Sequence, residues 1–303
     1  MTAGPITSDH AKRLMRRATT AAVCVALLLI AVKLAAWLVT DSVSLLSSLA
    51  DSAMDALASL VNLLAVRHAL QPPDSEHRFG HGKAEPLAGL GQAALISASG
   101  IYLIVEAVER LITPRAIEQG AFGLGVMAFS IAVTSALVAY QRSVVRRTDS
   151  LAIRADSVHY ATDILVNAGV IVSLLLVMFL EWNAADPIVA LIIAGFIIYS
   201  AFRIARESLN HLMDRELPDA DRDRIKQIAL GHPAVIDCHD LKTRAAGLNS
   251  FIQFHISMDG GLTLDDAHVI SDAVELKILA AFPNAEVIIH ADPEGVEEPR
   301  QEF

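Results

Sequence analysis

The sequence is poor in cysteine, in aromatic residues and in charge. Its 303 residues include two cysteines, 5% aromatic residues and 19% charged residues, whereas 53% are hydrophobic. Low charge with long apolar runs is typical of a membrane protein that also carries a soluble part. Cys24 lies in an apolar run and Cys238 in a polar region, so a disulfide between them is implausible in a reducing compartment. We expect Cys238 to be a small buried residue.

The sequence also has fewer basic than acidic residues. The chain has 24 Lys and Arg against 34 Asp and Glu, a formal net charge of −10. An acidic balance gives no support for a nucleic-acid partner, which calls for a basic surface. We therefore expect no nucleic acid among the partners.

What the chain does contain is six apolar segments, each long enough for the roughly 20 residues that cross a bilayer. They cover about 16–39, 44–68, 87–111, 119–141, 158–181 and 186–204. The first is predicted to be a spanning helix and not a cleaved signal, because the run continues through Lys33 and Trp37. Lys33 is explained by snorkelling or by a local pair, without a role in transport. The lipid bilayer is thus a predicted partner.

The basic residues that flank these segments predict the orientation. With six spans, the amino terminus, two connections and the carboxyl-terminal part share one side, and most of the Lys and Arg near the spans fall there. By the positive-inside rule, both termini are predicted to be cytoplasmic. The localisation predicted for such a multi-pass protein is the bacterial inner membrane.

After Arg206 the sequence changes to short amphipathic elements in the order αββαβ. These predicted elements cover 219–231, 235–244, 249–258, 264–282 and 286–290. The fold class is therefore an α-helical membrane protein with six transmembrane helices, followed by a cytoplasmic α+β domain with helices on one face of a three-stranded sheet. The predicted boundaries are a cytoplasmic segment 1–15, a transmembrane domain 16–207, a junction 208–217, a cytoplasmic domain 218–293 and a disordered acidic tail 294–303.

Two apolar segments carry a polar residue followed four positions later by an aspartate. These pairs are Asp51 with Asp55 in DSAMD, and His159 with Asp163 in HYATD. Residues four apart share a helix face. Charged residues inside a membrane are costly, so they are usually paired or have a function. Three carboxylates and one imidazole suit Zn²⁺, Cd²⁺ or Fe²⁺. The alternative is a buried polar core paired with Lys or Arg.

Two further sets of side chains could bind metal. The connection QPPDSEHRFGHGKAE contains Asp74, His77 and His81, which fit zinc but also fit a solvated loop. The soluble part spreads four histidines and an aspartate over separate elements, where each histidine alone could be an ordinary surface residue. They are His239, His255, His268, His290 and Asp292. His255 is predicted to lie on the polar side of its strand, because Ile252, Phe254 and Ile256 alternate with polar residues.

Several segments resemble the cation diffusion facilitator family, and are most similar to its bacterial ferrous-iron and zinc efflux pumps. The resemblance covers most of the chain and rests on DSAMDALASLVNLLAVRHALQPPDSEHRFGHGKAEPLAGL, HYATDILVN, NHLMDRELPD, HDLKTR, FIQFHISM and EVIIHADP. It implies a transport site made of Asp51, Asp55, His159 and Asp163, and a second metal site at Asp74, His77 and His81. For the cytoplasmic domain it implies a metallochaperone-like fold and a paired-metal site of His239, His255, His268, His290 and Asp292.

The resemblance further implies a homodimer, with Lys83 and Asp214 as a charge interlock. It implies a secondary active transporter, not an enzyme, that exchanges Zn²⁺, and also Cd²⁺ or Fe²⁺, for protons. Metal would be both the substrate and a structural or regulatory ligand. His159 and Asp51 are the expected proton-coupling groups, because metal binding requires deprotonated ligands. The alternatives are a membrane metal sensor that signals through its cytoplasmic domain, and an antiporter that prefers manganese or iron.

Overall fold

The chain folds into two compact units that divide after Leu209. A computed structural model describes residues 8–40, 43–113, 121–180 and 185–295. Within these residues, the first unit has six long helices and the second has two helices and three strands. The predicted fold class, a six-helix membrane domain followed by an αββαβ domain, is confirmed.

The helices of the first unit are longer than the predicted spans. They are α1 (Ser8–Thr40), α2 (Val43–Ala69), α3 (Ala84–Ile112), α4 (Ala121–Thr148), α5 (Leu151–Leu180) and α6 (Ala185–Leu212). Among the described residues, five helices are long and apolar enough to cross a membrane, and α5 is the sixth long helix. The extra turns carry charged residues such as Arg146 and Arg147 at the end of α4, which a hydropathy window excludes.

One buried carboxylate fixes the beginning of α5. Glu85, in the first turn of α3, is only 3% exposed and accepts a hydrogen bond of 2.5 Å from the Ser150 hydroxyl. Ser150 directly precedes α5, so this bond ties the start of α5 to the start of α3. The tie matters because α5 carries His159 and Asp163.

The second unit is a small sheet with two helices packed on its core. Its elements are α7 (Asp219–Leu230), β1 (Asp237–Ala246), β2 (Asn249–Met258), α8 (Leu264–Ala281) and β3 (Ala285–Pro293). The sheet order is β1-β2-β3, with β1 antiparallel and β3 parallel to β2. Thr263 caps α8 by accepting the Asp266 N–H at 3.2 Å.

Alternation along β2 separates a buried face from a polar face. Ile252, Phe254 and Ile256 are at most 1% exposed and pack with Ile225 of α7 and Ile278 of α8. The intervening side chains, His255 among them, point to the other face. The polar face of the sheet therefore displays the histidines of neighbouring strands.

The predicted domain boundaries stay predictions. The segment 1–15 is described from residue 8 onward, where α1 already begins. Of the acidic tail 294–303, residues 296–303 lie outside the described residues.

Candidate metal sites

Three side chains from α2 and α5 meet inside the six-helix unit. Asp55 lies on α2, and His159 and Asp163 lie one turn apart on α5. One ligand atom of each lies within 4.8 Å of the others. The His159 Nε2 is 3.1 Å from the Asp55 Oδ1. Two carboxylates and an imidazole at this spacing match the oxygen and nitrogen ligands that Zn²⁺ accepts.

A hydrogen bond next to these side chains joins α2 and α5. The Tyr160 hydroxyl and the Ser59 hydroxyl lie 2.7 Å apart, and both residues are at most 1% exposed. Ser59 is one turn beyond Asp55, and Tyr160 directly follows His159. The bond therefore holds α2 and α5 together beside the cluster.

The fourth predicted transport ligand, Asp51, is not part of the three-residue cluster. It lies one helical turn before Asp55 on α2 and is exposed. Because residues four apart share a helix face, its carboxylate is on the same side of α2 as Asp55. The structure thus brings three of the four residues together and leaves Asp51 one turn away.

A second buried polar cluster lies one turn from His159 and was not predicted. Asp156 on α5 is 0% exposed and accepts hydrogen bonds from Gln141 Nε2 at 2.6 Å and from Gln92 Nε2 at 3.2 Å. The helices α3, α4 and α5 therefore all contribute to one polar cluster. The signal in the sequence was the RADSVH run, which puts Asp156 three residues before His159.

Lys33 does make a local pair, and its partners are on α2. Its Nζ donates to the Ser48 carbonyl at 3.1 Å and to the Ser52 hydroxyl at 2.6 Å. Ser52 is 1% exposed and directly follows Asp51. The ammonium group is therefore attached to the helix that carries Asp51 and Asp55.

The connection between α2 and α3 brings together Asp74, His77 and His81. Asp74 Oδ1 accepts the N–H groups of His77 at 2.7 Å and of Glu76 at 2.9 Å. These backbone donors, chiefly that of His77, hold the pKa of Asp74 below its ordinary value. The Asp74 carboxylate is therefore ionised at neutral pH and available to a cation.

The two histidines of this connection face the same carboxylate. His77 Nδ1 lies 3.4 Å from Asp74 Oδ1, and His81 Nε2 lies 3.3 Å from Asp74 Oδ2. The three ligand atoms lie within 4.8 Å of one another. Within the described part of the chain, the buried His81 Nδ1 has no hydrogen-bond partner. The arrangement offers three ligands to one cation.

The polar face of the second unit carries a row of three histidines. In the sheet register, His239 of β1 is opposite His255 of β2, and His255 is opposite His290 of β3. Ring centroids are 5.4 Å apart for the first pair and 4.6 Å for the second. The pairing of the strands therefore collects residues that are 51 positions apart in the chain.

Asp292 lies between these rings. Its Oδ2 is 2.9 Å from His255 Nδ1 and 3.5 Å from His239 Nε2, and its Oδ1 is 3.0 Å from His290 Nε2. A carboxylate whose two oxygens face different histidines can bridge two cations. Asp240, which was not predicted, forms a second group with His239 and His255, at the irregularity in the β1–β2 pairing.

Four other residues of interest fall outside these groups among the described residues. His268 on α8 is exposed, and its Nε2 lies 3.5 Å from Asp272 Oδ2. Within the described residues of one chain, it does not belong to the group formed by the other histidines. Cys238 is buried, and burial raises the pKa of its thiol to about 11, which makes it a poor ligand at neutral pH. Lys83 precedes α3 in the first unit, whereas Asp214 belongs to the second unit.

Comparison with known proteins identifies the family of the whole chain. Residues 19–213 match the cation efflux transmembrane domain. The chain belongs to the cation efflux family. Residues 217–294 match the family's cytoplasmic domain. The resemblance to cation diffusion facilitators is therefore confirmed over both units.

Individual relatives agree with this assignment. The chain is 45% identical over 281 residues to the cation-efflux pumps FieF of Salmonella arizonae and Salmonella agona, covering 93% of each chain. Among solved structures, the metal-bound C-terminal domain of the CzcD transporter from Thermotoga maritima is 29% identical, with a TM-score of 0.25, over 26% of this chain and 93% of that one. A structure of CzrB in its zinc form is 34% identical, with a TM-score of 0.27, over 28% and 98%.

Family membership establishes the general activity. The protein is a multi-pass membrane transporter that exports divalent cations, and it is not an enzyme. Metal ions are its transported substrate, and its C-terminal domain is cytoplasmic.

Proposed function

We propose that the chain exports Zn²⁺, and also Cd²⁺ and Fe²⁺, in exchange for protons. The cation crosses through a tetrahedral site of Asp51, Asp55, His159 and Asp163. The observation that carries this proposal is the meeting of Asp55, His159 and Asp163 within 4.8 Å on two long apolar helices. The names of the relatives, cation-efflux pumps, support export as the direction.

Asp51 is the proposed fourth ligand. It lies one turn from Asp55 on the same face of α2 and is exposed, so its side chain can turn toward a bound ion. A three-residue cluster with a fourth ligand one turn away suits a transporter, because the ion has to be released after it has been bound. Tetrahedral coordination by four protein ligands is the arrangement that Zn²⁺ favours.

Proton exchange follows from competition for the same atoms. A metal ion and a proton cannot share the His159 Nε2, which lies 3.1 Å from Asp55 Oδ1. Binding of the cation therefore expels protons, and protons from the far side displace the cation. His159 and Asp51 are the proposed proton-coupling groups, because an imidazole nitrogen and a carboxylate oxygen each bind either a proton or a metal ion, and Asp51 is exposed.

The other two clusters are proposed as accessory metal sites. Asp74, His77 and His81 form the loop site. His239, His255, His290 and Asp292 form the cytoplasmic site, with Asp292 as the bridging ligand, and His268 stays a proposed member although it lies apart in one chain. Metal bound at the cytoplasmic site has a structural or regulatory role, since binding stabilises the folded state by mass action.

The protein is further proposed to be a homodimer in the bacterial inner membrane, with both termini cytoplasmic. The distribution of basic residues supports the orientation. Lys83 and Asp214 are the proposed charge interlock.

The experiment that tests the transport site is flux into proteoliposomes. Zn²⁺, Cd²⁺, Fe²⁺ and Mn²⁺ are offered one at a time under an imposed pH gradient. Wild type should transport the first three, whereas Asp163→Asn and Asp51→Asn should reduce zinc flux to that of empty liposomes. The control is Asp149→Asn, the same change in a turn residue with φ of 51°, which asparagine tolerates. Full zinc flux by either transport-site variant would refute the assignment.

A further inference from the structure

Lys33 places a positive charge beside the proposed transport site. The residue lies well inside α1, a helix apolar enough to cross a membrane. Its two hydrogen bonds go to neutral oxygens of Ser48 and Ser52 on α2, at 3.1 and 2.6 Å. Ser52 is buried and lies between Asp51 and Asp55 in the sequence. The ammonium is therefore held in a fixed position on the ligand-bearing helix.

The bond to Ser52 places this ammonium beside proposed ligands. Ser52 directly follows Asp51 and precedes Asp55 by three residues on α2, so the Lys33 charge lies on the helix segment that carries both carboxylates. The hydrogen bonds that hold Nζ are to neutral groups, whereas Asp55 Oδ1 is directed at His159. Lys33 thus acts on the carboxylates through space, and its bonds do not occupy the ligand atoms named here.

The charges suggest what this arrangement does. With the ligands deprotonated, as metal binding requires, three carboxylates carry a charge of about −3. The Lys33 ammonium reduces this to about −2, which a divalent cation neutralises. Without the ammonium, the loaded site would keep an excess negative charge that holds the cation more tightly.

We propose that Lys33 is the residue that sets the charge of the transport site, weakening the hold on the divalent cation so that it can leave. This inference rests on the proposed transport site. Its physical basis is Coulombic repulsion between the ammonium and the bound ion. Even at roughly 10 Å and an effective dielectric constant of about 20, that repulsion lowers affinity more than tenfold.

The test compares KM and kcat for zinc in proteoliposomes under a pH gradient. Lys33→Met removes the charge and keeps an unbranched side chain that is one atom shorter. We expect its KM to fall at least about tenfold and its kcat to fall as well, because the more tightly held ion leaves more slowly. Lys33→Arg keeps the charge and should stay within about threefold of wild type in both constants.

Control variants distinguish the effect of the Lys33 charge from an effect on the structure. Lys12→Met, the same substitution near the start of α1, should leave both constants unchanged. Ser52→Ala removes one anchor but keeps the ammonium, so its KM should change less than that of Lys33→Met. If Lys33→Met does not assemble, Lys33→Gln supplies an uncharged side chain that can still donate hydrogen bonds.

Two results would overturn the inference. One is an uncharged Lys33 variant with unchanged KM and kcat. The other is an uncharged variant whose KM rises while its thermal stability falls, which would mean that Lys33 only ties α1 to α2. The absence of zinc flux under a pH gradient in wild type would instead refute the proposed function, so the two failures are distinguishable.

Discussion

At the scale of single residues, Asp156 illustrates the cost of a polar group inside the helical unit. Its carboxylate is fully buried, and the two side chains that donate to it, Gln92 and Gln141, are at most 3% exposed. A buried donor that loses its acceptor costs roughly 1–3 kcal/mol. The cluster is therefore sensitive to any change that removes an acceptor.

We predict that Asp156→Ala is less stable than Asp156→Asn. Alanine leaves both Gln donors without an acceptor, which should cost about 2–4 kcal/mol, whereas asparagine keeps one oxygen and should lose about half as much. The measurement is the thermal unfolding midpoint of the two purified variants in one detergent. Equal midpoints for alanine and asparagine would show that the hydrogen bonds to Asp156 do not matter for stability.

At the scale of elements, the sequence predicted the strands better than the positions of side chains on the long helices. The alternation of Ile252, Phe254 and Ile256 has a period of two, which places β2 and its polar face directly. The row of His239, His255 and His290 then depends on strand register, which no local pattern determines. The sequence suggested the histidines as a group, and the structure places His268 on α8, where it lies 3.5 Å from Asp272.

For the helical unit, the sequence predicted contacts within a helix but not contacts between helices. The four-residue spacing within α2 and within α5 identified Asp55, His159 and Asp163, because residues four apart share a helix face. Asp156, Gln92 and Gln141 were missed because each is a single polar residue on a separate helix, and their meeting depends on how three helices pack. Lys33 was assigned to snorkelling or a local pair, without a role in transport, because no sequence pattern relates α1 to the carboxylates of α2 and α5.

Packing of α3 against α6 gives a prediction with a control on the same helix. A Cβ at Gly100 would lie 2.8 Å from Ile198 Cδ1 and 3.0 Å from Ile197 Cγ2, whereas a Cβ at Gly91 would meet nothing within 4 Å. Gly100→Ala should therefore lose about 1–3 kcal/mol to overpacking. Gly91→Ala should gain about 0.5–1 kcal/mol, because alanine favours helix over glycine.

Thermal unfolding of the two glycine variants in detergent measures the difference. Their unfolding midpoints should move in opposite directions from wild type. A destabilised Gly91→Ala would point to a lipid or partner contact at that position, and an unchanged Gly100→Ala would mean that α3 and α6 separate easily.

At the scale of the whole molecule, two compact units each carry metal-ligand clusters of their own. The helical unit contains the proposed transport and loop sites, and the cytoplasmic unit contains the proposed metal site around Asp292. Cations that bind only the folded cytoplasmic unit stabilise it in proportion to their concentration. The stability of this unit is thus expected to follow the cytoplasmic metal level while the helical unit exports the same metal.

Cys238 provides a direct measure of that stability. Its thiol lies in the core of the cytoplasmic unit, where burial raises its pKa to about 11, so it reacts slowly with a maleimide while the unit is folded. Unfolding returns the thiol toward its ordinary pKa and exposes it. In a Cys24→Ser background, the labelling rate of the full-length protein reports the fraction of cytoplasmic units that are open.

We predict that zinc at 100 times its dissociation constant slows the labelling of Cys238 about 100-fold, which corresponds to about 2.7 kcal/mol. Asp292→Asn should abolish most of this protection, because Asp292 places one oxygen near His255 and the other near His290. His232→Gln, a change in a histidine of the same unit that lies in a turn before β1, should keep it. Transport-site variants such as Asp163→Asn should also keep it, since they leave the cytoplasmic ligands intact. Equal protection of wild type and Asp292→Asn would show that zinc stabilises the cytoplasmic unit from another site.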